Sequence, residues 1–231
     1  MDYGQTSADL LAYLANGSEE ENLPTMQEIS AQLGVSVARL REQMEVAKAF
    51  GFVEVRPRTG IRRLPYRFFP AVWLSVSYAI HRDPAFFEAF ADLRRHLEAC
   101  YWHQAVSLLQ PEDHQQLVSL VETAWEKLRG TPIRIPHQEH RRFHLLIYSR
   151  LNNPFVQDIL EAYWEAYEAA GLSLYADYNY LQEVWMYHQK MVDAILSGDL
   201  EAGYQALRQH TDLLYHRPAP ENASGTSGTE N

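Results

Sequence analysis

Between Leu23 and Ile61 the hydrophobic period of the chain switches from helical to strand-like within one short stretch, and few folds accept that order. Met26, Ile29 and Leu33 recur at three and four residues, one face of a helix. Gly34 follows as a stop, because glycine adopts positive φ without steric cost. Ser36 is a good N-cap for a second helix, in which Leu40, Met44 and Ala47 form another apolar stripe. Arg39, Arg41 and Gln43 are expected off that stripe, on the outward side. Beyond Gly51 the period falls to two: Phe52–Arg56 and Ile61–Leu64 alternate as strands around the turn Pro57-Arg58-Thr59-Gly60. Helix, glycine turn, helix with basic outward residues and an Arg-tipped ribbon together predict a winged helix-turn-helix, an architecture that reads DNA.

Charge supports a single nucleic-acid face. The whole chain of 231 residues carries a formal net charge of -10, which argues against a nonspecific coat on nucleic acid. From Ser36 to Arg67, however, eight Arg or Lys stand against three acids, a local +5. Cys100 is the single cysteine, so no disulfide framework exists and a reducing cytosol is the expected location. There is no apolar run long enough to span a membrane and no signal-like N-terminus, so neither membrane nor export is expected.

The expected fold is mainly α: a winged helix over residues 1–66, with a leading helix and polar loop in 1–22, then an all-helical domain over 73–216. Residues 67–72, an aromatic connector with a proline, are read as the linker. Helices are expected at 72–81, 85–109, 111–129, 136–151, 153–170, 178–197 and 199–215, punctuated by Pro111, Gly130, Pro132, Pro154, Gly171 and Gly198. Residues 217–231 are low-complexity and polar, a tail expected to be disordered.

Four of the ten histidines form a pattern. His140 and His144 are four apart and share a helix face. Gly198 ends one helix and Asp199 caps the next, so the two should fold back antiparallel. His188 and His210 then lie roughly 15–16 Å from the turn on either side, at nearly the same height. Two imidazoles facing across a hairpin, with an i, i+4 pair from a third helix, make a plausible tetrahedral or octahedral metal cage. The remaining histidines show no such arrangement.

Leu23-Pro24, Gly34-Val35-Ser36, Arg41-Glu42, Gly51-Phe52-Val53 and Pro57-Arg58-Thr59-Gly60, followed by Leu93-Arg-Arg-His-Leu-Glu98, Phe143-His144, Asn153-Pro154, His188, Ala194-Ile195, Gly198-Asp199 and His210, occur in a recurring order. In that order the chain resembles a GntR-type regulator of the FadR subfamily, a winged helix followed by an FCD ligand-binding domain, over about residues 20–216. The resemblance implies a homodimer on a palindromic DNA operator, with a helical domain that senses a small effector, commonly a carboxylate. It implies a metal held by one Asp or Asn and three His. His144, His188 and His210 match the histidines, and His140 stands where the acidic ligand is usual. An imidazole there removes a negative charge from the site and favours Zn or Ni over Mg or Ca. For DNA the resemblance points to Ser36 and Arg41 on the second helix and to Arg58, Thr59 and Gly60 at the wing tip. Gln27 and Val37 replace usually basic residues, a gap that Arg39 can fill as a guanine reader. For the effector it points to Arg94, which also forms an ordinary i, i+4 surface pair with Glu98, and to Asn153.

An enzyme built on the same histidines is the weaker reading. Arg141 follows His140, so no HExxH arrangement exists, and Glu139 points about 100° away around its helix.

Overall fold

Two N-caps launch the helix-turn-helix. In the computed structural model, which describes residues 8–17, 22–56, 60–171 and 177–213, Thr25 Oγ1 accepts from the Glu28 amide at 3.3 Å while the Glu28 carboxylate accepts from the Thr25 amide at 2.8 Å. This reciprocal box satisfies two amides that a helix start would otherwise leave bare, and it opens α2 (Met26–Leu33). Gly34 closes that helix in the left-handed conformation, φ 65°. Ser36 Oγ then accepts from the Arg39 amide at 3.2 Å and opens α3 (Val37–Ala49). Leu40, Met44 and Ala47 of α3 bury against Ile29 of α2 and against Leu10 and Leu14 of α1 (Ala8–Ala15). The wing is β2 (Val53–Arg56) antiparallel to β3 (Gly60–Arg63).

Three details depart from the sequence reading. A two-residue strand, β1 (Asn22–Leu23), pairs with β3 and completes a sheet of order β1-β3-β2. Two residues are too few to carry a period, so Asn22 read as loop. Gln43 is not on the outward side of α3; it is buried, because positions 40, 43, 44 and 47 make one continuous stripe at i, i+3, i+4 and i+7. Arg63 is also buried, since period-two alternation in β3 puts it on the same side as Ile61. Its guanidinium lies against Gly17, where a Cβ would stand 1.7 Å from Nη1.

The rest is helical: α4 (Phe69–Arg82), α5 (Ala85–Ser107), α6 (Pro111–Arg129), α7 (His137–Ile147), α8 (Pro154–Ala169), α9 (Tyr178–Ser197) and α10 (Leu200–Leu213). Helix α4 begins at Phe69, inside the stretch read as linker, because Pro70 sits in its first turn, where a missing N–H breaks no bond. The described residues fall into two compact units. One comprises those through Glu98 with those of 148–171; the other comprises 99–147 with 177–213. The first therefore unites the winged helix with α4, the start of α5 and α8. The second is built from the end of α5 with α6, α7, α9 and α10.

In the second unit Trp102 is fully buried and donates from Nε1 to the Leu200 carbonyl at 2.9 Å. Gly203 of α10 leaves the notch that its ring fills: a Cβ there would lie 2.6 Å from Trp102 Cζ2. Helix propensity alone favours Gly203→Ala by about 1 kcal/mol. Overpacking against Trp102 outweighs that gain, so the variant should be destabilised by about 1–3 kcal/mol. A lower calorimetric midpoint is expected; a higher one would show that the notch relaxes.

Candidate metal centre and DNA-reading face

The hairpin of α9 and α10 closes as its turn chemistry dictates. Gly198 takes φ 78° and its N–H bonds back to Ala194 and Ile195, and Asp199 Oδ1 accepts from the Ala202 amide at 3.0 Å. His188 and His210 consequently face each other, ring centroids 4.4 Å apart. Helix α7 contributes His140 and His144, with rings 5.2 Å apart. All four imidazoles converge within the second unit, their ligand atoms within 4.8 Å of one another.

The convergent atoms are the four Nε2. His210 Nε2 lies 3.1 Å from that of His144 and 3.3 Å from that of His140, and His188 Nε2 lies 3.2 Å from that of His144. Metal–nitrogen bonds of about 2.0–2.1 Å in a tetrahedron hold nitrogens about 3.3–3.4 Å apart, so these separations suit one shared divalent ion. His188 supplies a second sign: its Nδ1 lies 2.8 Å from the Val184 carbonyl. A carbonyl only accepts, so Nδ1 carries the proton and Nε2 turns a lone pair inward, the tautomer of a ligating histidine.

His144 and His188 are wholly buried and His210 nearly so, whereas His140 is half-buried. Phe143 and Trp185 each pack a ring 4.5 Å from that of His188. The i−4 position of Val184 relative to His188 was the legible signal for the orienting carbonyl. Glu139, next to His140, accepts from Lys127 Nζ at 2.7 and 2.8 Å. That pairing ties α7 to α6 and occupies the carboxylate that a hydrolytic reading would need as base.

The effector candidates lie in the other unit. Arg94 is buried rather than on the surface, with Nε 2.8 Å from the equally buried Glu98 carboxylate. Its guanidinium sits over the rings of Tyr163 and Trp164, 4.9 and 5.4 Å from their centroids. Burial opposes its charge, but the Glu98 carboxylate outweighs that and keeps the guanidinium protonated. Asn153 is the N-cap of α8, its Oδ1 accepting from the amides of Phe155 (3.1 Å) and Val156 (3.4 Å).

On the winged helix, Arg39 and Arg41 are exposed on α3, Ser36 caps it, and Gly60 opens β3 at φ 88°. Arg58 and Thr59 lie outside the described residues, as does the polar tail. The basic surface is smaller than the sequence tally: Lys48 pairs with Glu45 at 2.8 Å, Arg56 with Glu54 at 2.8 Å, Arg67 with Asp158 at 2.5 Å, and Arg63 is buried. Among the described basic residues of this segment, Arg39 and Arg41 are exposed and Arg62 is half-buried, which makes them the candidates for phosphate or base edges.

A helix-turn-helix with a wing, joined to a helical body holding a buried polar centre, defines the class of DNA-binding transcriptional regulators. Residues 89–213 match the FCD domain model, and the chain belongs to the FCD family of GntR-type transcriptional regulators. It is 26% identical over 194 residues to an uncharacterized HTH-type transcriptional regulator, YieP, of Escherichia coli strain K12, covering 80% of each chain. Its fold is similar to that of a GntR structure from Streptococcus agalactiae (TM-score 0.67, 17% identity, 92% of this chain and 98% of that one). It is also similar to that of E. coli McbR/YncC (TM-score 0.50, 20% identity, 92% and 94%). The family consists of regulators, not enzymes, and no described helix is long and apolar enough to cross a membrane.

The four imidazoles should bind one Zn(II) or Ni(II) per chain. At a free metal concentration about one hundred times Kd, the gain in stability is about 2.7 kcal/mol. Calorimetric melting with and without metal, beside elemental analysis of dialysed protein, measures it. His188→Ala should abolish both the stoichiometric metal and the shift.

Proposed function

We propose that the chain is a regulator of the FadR subfamily that binds a palindromic operator as a homodimer, its DNA affinity set by a transition metal and a small carboxylate effector at the four-histidine centre. The observation that supports this most is the convergence of four Nε2 atoms, three of them from buried histidines, with no carboxylate among them. Such a neutral donor set suits Zn or Ni. His140, His144, His188 and His210 would hold the ion, which when bound supplies a Lewis-acidic positive charge beside the Phe143 and Trp185 rings. An anionic effector is attracted to that charge, and the half-buried His140 leaves the side from which it can approach. In this reading Arg94 and Asn153 keep the ion-pair and capping roles described above.

DNA recognition falls to α3 and the wing. Ser36 and the first turn of α3 approach a phosphate, Arg39 and Arg41 enter the major groove, and Arg58, Thr59 and Gly60 meet the neighbouring minor groove. Exposed Gln27 and half-buried Val37 add no charge, so base reading rests on few arginines.

A second reading is favoured by the donor count itself. Four protein ligands complete a tetrahedron, which leaves the metal as the signal and no effector on it. Fluorescence anisotropy on DNA from the gene's own upstream region, with excess random competitor, separates these readings. Binding that survives competitor and then changes on adding citrate or another carboxylate only when metal is present supports the effector reading. A response to metal alone supports the second, and no preference over random DNA sinks both. Arg41→Ala should weaken operator binding by about 1–3 kcal/mol if it reads a base, or lower the salt slope by about 1 if it meets a phosphate.

A further inference from the structure

Helix α4 starts without a cap of its own. Phe68 occupies the N-cap and makes no side-chain capping bond. Asp158 of α8 supplies it instead: one carboxylate oxygen accepts from the amides of Phe68 and Phe69 at 2.6 and 3.1 Å. The other accepts from Arg67 Nε at 2.8 Å and from Nη2 at 2.5 Å. Glu161, one turn on, accepts from the same Nη2 at 2.6 Å. Asp158 is buried, at 3% exposure, so its charge is compensated by this one segment of chain.

The segment it grips is the exit from the winged helix. Phe155, also on α8, meets Phe68 edge-on at 5.2 Å and Tyr66 at 6.0 Å. Tyr66 stacks on Phe52 at 6.3 Å, and Phe52 on Phe50 at 5.8 Å. Gly51, at φ 71° between those two rings, lets Pro70 of α4 approach: a Cβ there would stand 2.8 Å from Pro70 Cγ. An unbroken set of contacts thus runs from the end of α3 to the first turns of α8. Gln157 in turn fixes that end of α8 by donating to the carbonyls of Ser149 and Leu151 at 2.9 and 2.8 Å. In sequence this connector follows directly on the helix that carries His140 and His144.

We propose that Asp158 is a positioning residue for DNA binding: gripping Arg67 and the start of α4, it locks the winged helix onto α8 at one orientation, and releasing that grip frees the winged helix to reorient. The part that concerns DNA rests on the regulator reading above; the lock itself does not. A loosened winged helix loses the fixed spacing that a two-site operator rewards, yet keeps its phosphate contacts. The grip therefore governs specific affinity and leaves nonspecific affinity alone.

The test uses the full chain with spin labels at Glu42→Cys on α3 and Ala169→Cys on α8, both exposed, in a Cys100→Ser background, diluted with unlabelled chain. Double electron–electron resonance should give one narrow distance distribution. Asp158→Ala should at least double its width, and Arg67→Met, which leaves the cap on Phe68 and Phe69 in place, should broaden it less. Arg67→Lys should restore it nearly to the original width. Should Asp158→Ala fail to fold by circular dichroism, Arg67→Met carries the test. Unchanged widths in the folded variants would overturn the lock. In parallel, a DNA sequence selected from a random pool by the parent chain should be bound about tenfold more weakly by Asp158→Ala, with binding to random DNA unaltered. Equal loss on both DNAs would refute a positioning role. If the parent chain selects no sequence, the regulator reading fails, while the distance measurement still decides the lock.

Discussion

The tight reversal at Gly198 and Asp199 is the constraint on which the centre depends. One residue in the left-handed region stops α9, and the next caps α10, so the register of the two helices is decided over two positions. Everything further from the turn inherits that register, including the pairing of His188 with His210. The fit of Trp102 into the space left by Gly203, with its bond to the Leu200 carbonyl, braces the hairpin close to its turn. A shift of one residue would rotate each imidazole by about 100° and dissolve the cluster. The polar centre is therefore a product of the apolar packing around it.

Much of this was legible because the rules involved are local. Helical rise, the glycine stop and the aspartate cap placed His188 and His210 at equal height, and the i, i+4 spacing added His140 and His144. The winged helix followed from Thr25, Gly34, Ser36 and the alternating ribbon in the same way. What escaped was of two kinds. Gln43 was assigned outward by chemical type and Arg63 was counted toward the basic segment, although their positions in the period pointed inward, so residue class overruled geometry. Arg67, counted toward the basic segment, and Arg94, read as half of a surface pair, escaped differently. Their partners, Asp158 and the Tyr163 and Trp164 rings, depend on tertiary placement that no window of sequence contains.

The electrostatic consequence is a smaller reading face than the tally of basic residues suggests. Lysines and arginines counted toward DNA are partly consumed by neighbouring acids within the same unit. Each such pair that persists on binding means one fewer counterion released, which lowers the salt dependence of contact with duplex. On a body of net charge -10, discrimination then rests on base contacts and on geometry.

The grip of Asp158 on Arg67 also joins residues 91 positions apart. During synthesis the winged helix leaves the ribosome long before α8 exists, and at about 5–20 residues per second the interval is roughly 5–20 s. For that time the N-terminal module has its own core of Leu10, Ile29, Leu40 and Ile61 but nothing to hold its exit segment. Nascent chains therefore carry the reading head before its anchor, and under the proposed lock the head acquires a fixed aim only when translation has passed the helix that anchors it.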